Sequence, residues 1–398
     1  MAAAGALCPA DVRAQFPALA AEPRVAYLDS ASTTQKPRGV VDAVARALSE
    51  RTASPRRGEY PWATRLSAEI ERVRSAVARF LGAERDDAVV FTAGATAAMN
   101  AVAHGWGLAG LADGDEIVYC PDDHTSTVAP WLALRDTLSR FGVAVRLVPV
   151  RRTESGALTA GALAAAVTGR TRMVVLSHVH GVSGVRAEPA ELRRLLDPSV
   201  LLCLDCAQSA GHLPVDLARL GADFAVVSGH KMFAAPGVGV LYCAPRTHAA
   251  LRAHAPGGGA GALGDRMPAR LEGGTLDAPA ILSLGAAVDF LDSVGIDAVE
   301  RHTRDLTRRA VARLASVPGV RLRSGEHAAS GIVSFHVPGI RSADIGFALS
   351  AEQVYVRAGG HCLAGPDAEA VRLSVHVYTT PAEVDRACDL LTHIAESA

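Results

Sequence analysis

Apolar runs of strand length alternate with longer stretches of helical period through most of the chain. The runs "DAVVFT", "DEIVYC" and "VAVRLVPV" are followed by "ATAAMNAVAHGW", "PWLALRDTLSRFG" and "LTAGALAAAVTG". Strands with no polar face, each followed by a helix, are the pattern of a mostly parallel sheet covered on both sides. The series continues through "TRMVVLSHV", "VLLCLDCAQ", "DFAVVSGHK" and "GVGVLYC", then meets a Gly-rich stretch, "APGGGAGALGD". The expected core is an α/β domain over residues 25–283.

Upstream of the first of these strands, "TRLSAEIERVRSAVARFLG" spaces Leu66, Ile70, Val73, Val77 and Leu81 along one helical face, with charges on the other. Downstream, "AILSLGAAVDFLDSVG" and "AVERHTRDLTRRAVARLAS" read as long helices. Strand and helix alternate again in "GIVSFHV", "DIGFALSAE", "VYVRAGG", "VRLSVHV" and "PAEVDRACDLLTHIAES". Residues 284–398 are therefore expected to form a small α+β domain, with residues 1–24 as an N-terminal segment packing on it. Two lobes suit a chain of 398 residues, because single cores stop growing at roughly 250 to 300.

Composition narrows the partners. Apolar residues make up 49%, charged residues 20%, and the formal net charge is −1, so no basic field awaits a polyanion and nucleic acid is not expected. The apolar windows fall short of the ~20 residues of a membrane helix. No basic region precedes the apolar start "MAAAGALC", so no signal peptide is expected. The seven cysteines (8, 120, 203, 206, 243, 362 and 388) are odd in number and scattered, which fits reduced thiols in a cytoplasm. Cys203 and Cys206 have CxxC spacing inside an apolar run and read as buried structural residues. His178 and His180 alternate on a strand with no carboxylate or thiolate set beside them, so no metal site is expected. "APGGGAGALGD" lacks the strand and helix context of a dinucleotide site and the ending of a P-loop.

Candidate chemistry begins at "SGHKMFAAPGVGVLY", which sets Lys231 at a strand-to-loop junction. A partly dehydrated lysine loses preference for its charged form and becomes a nucleophile toward a carbonyl, giving a Schiff base. Asp205 ends the run "VLLCLD", where ligands bind in open α/β sheets, and a carboxylate there can keep a pyridine nitrogen protonated. "FTAGATAAMN" passes from strand to helix through Gly94 and Thr96, offering free N–H groups and a hydroxyl to a phosphate. Ser228 and His230 supply further donors. Each feature alone has an ordinary explanation as a solvated lysine, a capping Asp or a plain helix cap. Together they point to pyridoxal phosphate.

In order and spacing, "DSASTTQKP", "FTAGATAAMN", "DCAQSAGHLPVDLARLGADFAVVSGHKMFAAPGVGVLY", "LEGGT" and "VRAGGHC" resemble the class V aminotransferase group of fold-type I pyridoxal 5'-phosphate enzymes. The branch they are most similar to is that of the SufS-type cysteine desulfurases and selenocysteine lyases, and the resemblance runs over nearly the whole chain from about residue 25. It implies a seven-stranded type of sheet in the large domain and a homodimer with shared active sites. Lys231 would carry the cofactor and shuttle protons, Asp205 would pair with the pyridine nitrogen, Gln208 would bond the ring hydroxyl, and His124 would stack on the ring. Gly94, Ala95, Thr96, Ser228 and His230 would hold the phosphate, and Thr275 would reach it from the partner subunit. Arg372 would clamp the carboxylate of an amino-acid substrate. Ala31, Arg357 and Tyr60 would stand on the substrate side. Cys362 matches the thiol that attacks the substrate sulfur, with Arg357 and His361 favouring its thiolate, and a sulfur-acceptor protein would take the product.

Several positions depart from the family's pattern. Ala93-Gly94-Ala95-Thr96 replaces Arg-Gly-Thr-Thr, His180-Gly181 replaces Ser-Asn, Tyr60 follows Arg57-Gly58-Glu59 in place of a histidine, Gly360 replaces the first histidine of the cysteine loop, and the stretch from Cys362 to Arg372 is short. These lie more on the substrate side than around the cofactor. The leading expectation is cleavage of the C–S or C–Se bond of cysteine or a related amino acid. An epimerase, β-lyase or decarboxylating lyase acting on another amino acid, as in a biosynthetic pathway, stays open as the alternative. Retention of Lys231 argues against an inert scaffold.

Overall fold

The computed structural model describes residues 9–50, 52–153, 155–258, 266–324, 328, 330–363 and 369–396. A short strand, β1 (Ala26–Tyr27), precedes the seven strands of the main sheet: β2 (Val89–Thr92), β3 (Glu116–Tyr119), β4 (Arg146–Pro149), β5 (Thr171–Ser177), β6 (Leu201–Asp205), β7 (Phe224–Ser228) and β8 (Gly239–Cys243). Their order across the sheet is β2-β8-β7-β6-β5-β3-β4. Neighbours from β7 to β4 run parallel, while β8 is antiparallel to both β7 and β2.

The absence of a polar face in these runs has a direct structural cause. Along β5 to β8, Val174, Leu176, Leu202, Leu204, Ala225, Val227, Val240 and Tyr242 enter one core. Met173, Val175, Cys203, Phe224, Val226, Leu241 and Cys243 enter a second. Successive side chains of a strand point to opposite faces, so two apolar layers demand an unbroken apolar run. Helices Ala278–Val294, Arg38–Glu50 and Pro61–Phe80 pack together against the first core.

A second sheet is built from β9 (Arg321–Leu322), β10 (Ile332–His336), β12 (Arg357–Gly359) and β13 (Ala370–Ser374), all antiparallel in the order β12-β13-β10-β9, while β11 (Val354–Tyr355) pairs in parallel with β1. Helices Ile296–Ala315 and Pro381–Glu396 cover it, with Leu306, Ala310, Leu314, Val384 and Leu391 packed against Val333, Phe335, Val371 and Leu373. Among the described residues no single helix is long and apolar enough to cross a membrane.

Three features differ from the sequence expectation. Helix Arg38–Glu50 is not anticipated, although Val40, Val41, Val44, Ala47 and Leu48 recur at helical spacing; Val40 and Ala47 of this stripe are buried, while Val41 and Leu48 stay exposed. The expected boundary at residues 283 and 284 falls inside helix Ala278–Val294. The N-terminal segment lies against both parts of the molecule. The Phe16 ring is fully buried against Phe233, Phe290 and Tyr378, and Arg13 pairs with Glu383 of the last helix. An aromatic ring of that size gains most where it is wholly dehydrated, and the first core offers that site. Cys8 lies outside the described residues; Cys203 and Cys206 are buried free thiols.

Candidate active site

The carboxyl ends of β5, β6 and β7 place Ser177, Asp205 and Ser228 along one rim of the main sheet. Ser177 is the register partner of Asp205. Immediately after β7 the chain makes a single turn, Gly229–Lys231, which presents the lysine into a cavity of ≈ 230 Å³. Burial pushes the Lys231 amine down to about 8, against the opposing pull of Asp205 and with help from Arg372 and Arg357. A lysine in this range holds a substantial neutral fraction near neutral pH.

Residues from the N-terminal side brace this turn. The His230 carbonyl accepts from the Thr34 amide (3.1 Å), from the Thr33 and Thr34 hydroxyls (3.1 Å each) and from Lys36 Nζ (2.9 Å). The Thr34 hydroxyl also accepts from the Phe233 amide at 2.9 Å. Burial lowers Lys36 to about 8 as well. Lysine 231 is thus gripped on both sides by a segment almost 200 positions away.

Asp205 is buried, with Oδ2 accepting from the Thr127 hydroxyl at 2.6 Å and Oδ1 from the Ala207 amide at 2.9 Å. Gln208 donates from Nε2 to the Ala31 carbonyl at 2.9 Å, and that acceptor fixes which way the amide points. Its Oε1 is buried without a partner. Such an orphan costs free energy unless a ligand satisfies it, and a ring hydroxyl donating to it would do so.

The opposite end of the cavity is a helix N-terminus. Helix Ala95–Val102 starts after Gly94, whose φ of 152° belongs to glycine, and no side chain caps its first N–H groups. A Cβ on Gly239 of β8 would lie 2.5 Å from the Gly94 Cα, so the bare glycine lets this turn sit directly on the sheet. The Thr96 and Ser126 hydroxyls are 2.7 Å apart, and Ser228 and His230 line the same region. Free N–H groups, hydroxyls and a positive dipole end suit a phosphate.

His124 caps helix Thr125–Ser139, its Nδ1 accepting from the Ser126 amide at 3.1 Å. An accepting Nδ1 leaves the ring proton on Nε2. Burial, followed by the charge of Lys231, holds this imidazole below its usual range. Arg372, on β13, donates from Nη1 to the Gly181 carbonyl (2.9 Å) and from Nη2 to Ser32 Oγ (2.8 Å), with Asp29 at 3.5 Å. Its Nε is buried without a partner. Cys362 is exposed at the mouth, 3.5 Å from Arg357 Nη2.

Of the residues singled out in the sequence, Lys231, Asp205, Gln208, His124, Ala95, Thr96, Ser228, His230, Ala31, Arg357, Cys362 and Arg372 line this one cavity. Gly94 precedes two of them. Two others lie elsewhere: Thr275 is exposed and borders a different cavity beside Glu272 and His254, and Tyr60 is half exposed ahead of helix Pro61–Phe80, its ring beside Gly58. His361 bonds the Ala370 carbonyl at 3.2 Å. His180 takes up the Ser183 amide on Nδ1 and bonds the Asp122 carbonyl through Nε2, and Gly181 leaves open space beside Gln208. The hydroxyls of Ser32, Thr34, Ser126 and Thr127 escape sequence reading, because their partners are remote in the chain.

The assembly can hold a phosphorylated pyridine aldehyde: donors for the phosphate, a carboxylate for the ring nitrogen, an unpaired amide oxygen for the ring hydroxyl and a low-pKa amine for the carbonyl carbon. The family profile described as Aminotransferase class-V matches residues 26–387. A cysteine desulfurase of Enterobacter sp. (strain 638) is 34% identical over 395 residues, covering 94% of this chain and 95% of its own. The apo structure of a cysteine desulfurase from Thermococcus onnurineus NA1 superposes with a TM-score of 0.91 at 28% identity, covering 100% of both chains. A cysteine desulfurase of Escherichia coli, crystallised as its S-sulfonic acid, gives 0.88 at 29% identity over 98% of this chain and 99% of that one.

Proposed function

The chain belongs to the class-V aminotransferase family, and from that premise we propose that it is a pyridoxal 5'-phosphate-dependent cysteine desulfurase, with L-cysteine as substrate and Cys362 as the sulfur-accepting thiol. The observation that carries this reading is that a single cavity is lined by Lys231, Arg372 and Cys362 together. An amine, a carboxylate clamp and a thiol are what conversion of cysteine to alanine requires of the protein.

The bound cofactor supplies an electron sink for charge developing at the substrate α-carbon. Asp205, held by Thr127 and the Ala207 amide, would pair its carboxylate with the ring nitrogen. Arg372, which lines the cavity and is oriented by Gly181 and Ser32, would take the substrate carboxylate. Lys231 removes the α-proton and returns protons to carbon. As a thiolate, Cys362 attacks the substrate sulfur: an S–S bond forms, the Cβ–S bond breaks, and its electron pair remains on Cβ, which takes a proton. Cysteine and a thiol become alanine and a persulfide, with no external oxidant. The persulfide then passes to a reductant or to a thiol of an acceptor protein.

The same reading extends to organisation. A large domain carries the cofactor seat, and a small one that follows helix Ala278–Val294 brings Arg357, Cys362 and Arg372. Two copies share their sites through Thr275, whose exposed position beside a separate cavity suits a reach into a neighbour, and the enzyme works in the cytoplasm.

The test is alanine formation from L-cysteine and a reductant by cofactor-loaded protein, beside Cys362→Ala. Alanine from the wild type alone supports the reading. Equal rates from both, with the absorbance of the bound cofactor intact in each, would remove Cys362 from the chemistry.

A further inference from the structure

Among the described residues, four that are not glycine have positive φ, and two of them flank the reactive groups: Phe233, at 74°, and Cys362 itself, at 58°. Side chains other than glycine are held in this region only when their surroundings over-determine them. At Cys362 the restraint is visible. Its carbonyl accepts two hydrogen bonds from one residue, the Thr125 amide at 2.8 Å and the Thr125 hydroxyl at 2.9 Å. The next residue, Leu363, pairs with His124 in an isolated antiparallel bridge.

Thr125 sits in a run whose members each reach a different part of the site. His124 lines the cavity beside Lys231, the Ser126 hydroxyl meets Thr96, and the Thr127 hydroxyl meets Asp205. These four residues form the N-cap and first turn of helix Thr125–Ser139. A thiol referenced to that turn is referenced to Thr96 and Asp205 as well.

We propose that Thr125 is a positioning residue which latches the Cys362 carbonyl to the His124–Thr127 turn and so sets the thiol at attacking distance from the substrate sulfur. The inference rests on the desulfurase reading. Two donors on one carbonyl fix the peptide plane that follows Cys362, while the left-handed φ fixes the plane before it, leaving the side chain only its own χ1 to search. Attack requires approach to about 3–3.5 Å along a defined line. An exposed cysteine lacking such a restraint would spend most of its time elsewhere. Arg357, at 3.5 Å from both the sulfur and the Gly360 carbonyl, holds the loop from the other side.

The test compares wild type, Thr125→Val, Thr125→Ser and Cys362→Ala, all cofactor-loaded. Valine keeps the shape and the amide donor but loses the hydroxyl. Removing one of the two latching bonds is expected to lower kcat for alanine formation about tenfold and to leave KM for cysteine within about twofold. The absorbance of the bound cofactor should not change, and serine should restore most of the rate. A valine variant with wild-type kcat, or one whose loss lies in KM or in cofactor content, overturns the latch. If Cys362→Ala is inactive while Thr125→Val is normal, the latch alone falls. If Cys362→Ala retains full activity, the reading beneath it falls too.

Discussion

The hydroxyl of Thr34 lies between the His230 carbonyl, 3.1 Å away, and the Phe233 amide, 2.9 Å away, and so spans the turn that carries Lys231. Thr34 is 1% exposed, and Phe233 is a bulky residue at φ 74°. In Thr34→Val, the Phe233 amide becomes a buried donor without a partner, which costs about 1–3 kcal/mol. The strained turn then relaxes. The expected outcome is a lower midpoint in urea unfolding and slower formation of the covalent cofactor adduct, both recovered by Thr34→Ser. Unchanged adduct formation in the valine variant would show that the brace serves stability alone.

A second threonine orients Asp205, the acid proposed to face the ring nitrogen. Thr127 donates to Asp205 at 2.6 Å, and the Ala207 amide occupies the other oxygen. Hydrogen bonds to a charged acceptor contribute about 1.5–3 kcal/mol, so Thr127→Val should weaken cofactor retention about tenfold to a hundredfold. Dialysis followed by absorbance measures this directly. Retention equal to wild type would mean that the amide suffices.

Gly239 is constrained by what it faces. An added Cβ would approach the Gly94 Cα and the Val227 carbonyl oxygen to 2.5 Å each. Both are backbone atoms, one in the sheet and one in the turn that opens helix Ala95–Val102, so neither can swing aside. Gly239→Ala is expected to cost about 1–3 kcal/mol by overpacking and to release the cofactor more readily. Gly39→Ala, in helix Arg38–Glu50 where a Cβ meets nothing within 4 Å, is the control and should leave cofactor retention unchanged while holding or slightly raising stability.

Much of this architecture is legible in the sequence, and for a definite reason. Runs such as "VLLCLD" and "DFAVVS" must be apolar on both faces, which makes them conspicuous, and the polar residue that ends each one is then marked as a site residue. Asp205, Ser228 and Lys231 are found that way. Thr34, Thr125 and Thr127 are not, because each acts on a partner between 78 and 237 positions distant and looks locally like a cap or turn residue. Arg38–Glu50 is different, since Val40, Val41, Val44, Ala47 and Leu48 recur at helical spacing and make this helix legible in the sequence. Phe16 is read as part of an N-terminal segment packing on the small domain, and its ring completes an aromatic cluster with Phe233, Phe290 and Tyr378.

The amine of Lys231 gives the last prediction. Burial lowers it from 10.5 to about 8, with Asp205 opposing and Arg372 and Arg357 reinforcing the shift. Only the neutral amine attacks an aldehyde. Cofactor uptake by the apoenzyme should therefore accelerate as pH rises through about 8 and level off above it, whereas an unperturbed lysine would keep accelerating to about 10.4. Linkage supplies an independent check with a fixed sign. Between pH 8 and 10.5 the unfolded chain keeps protons that the folded chain has released from Lys231, and from Lys36, which is lowered to the same value. The two groups thus make stability rise with pH across that window. Stopped-flow absorbance across the pH range measures the first effect, with Lys231→Ala as the variant that forms no covalent adduct. A rate that climbs without inflexion to pH 10 would mean that Arg372, Arg357 and the buried wall do not depress this amine. The cavity would then have to activate its lysine only after the cofactor arrives.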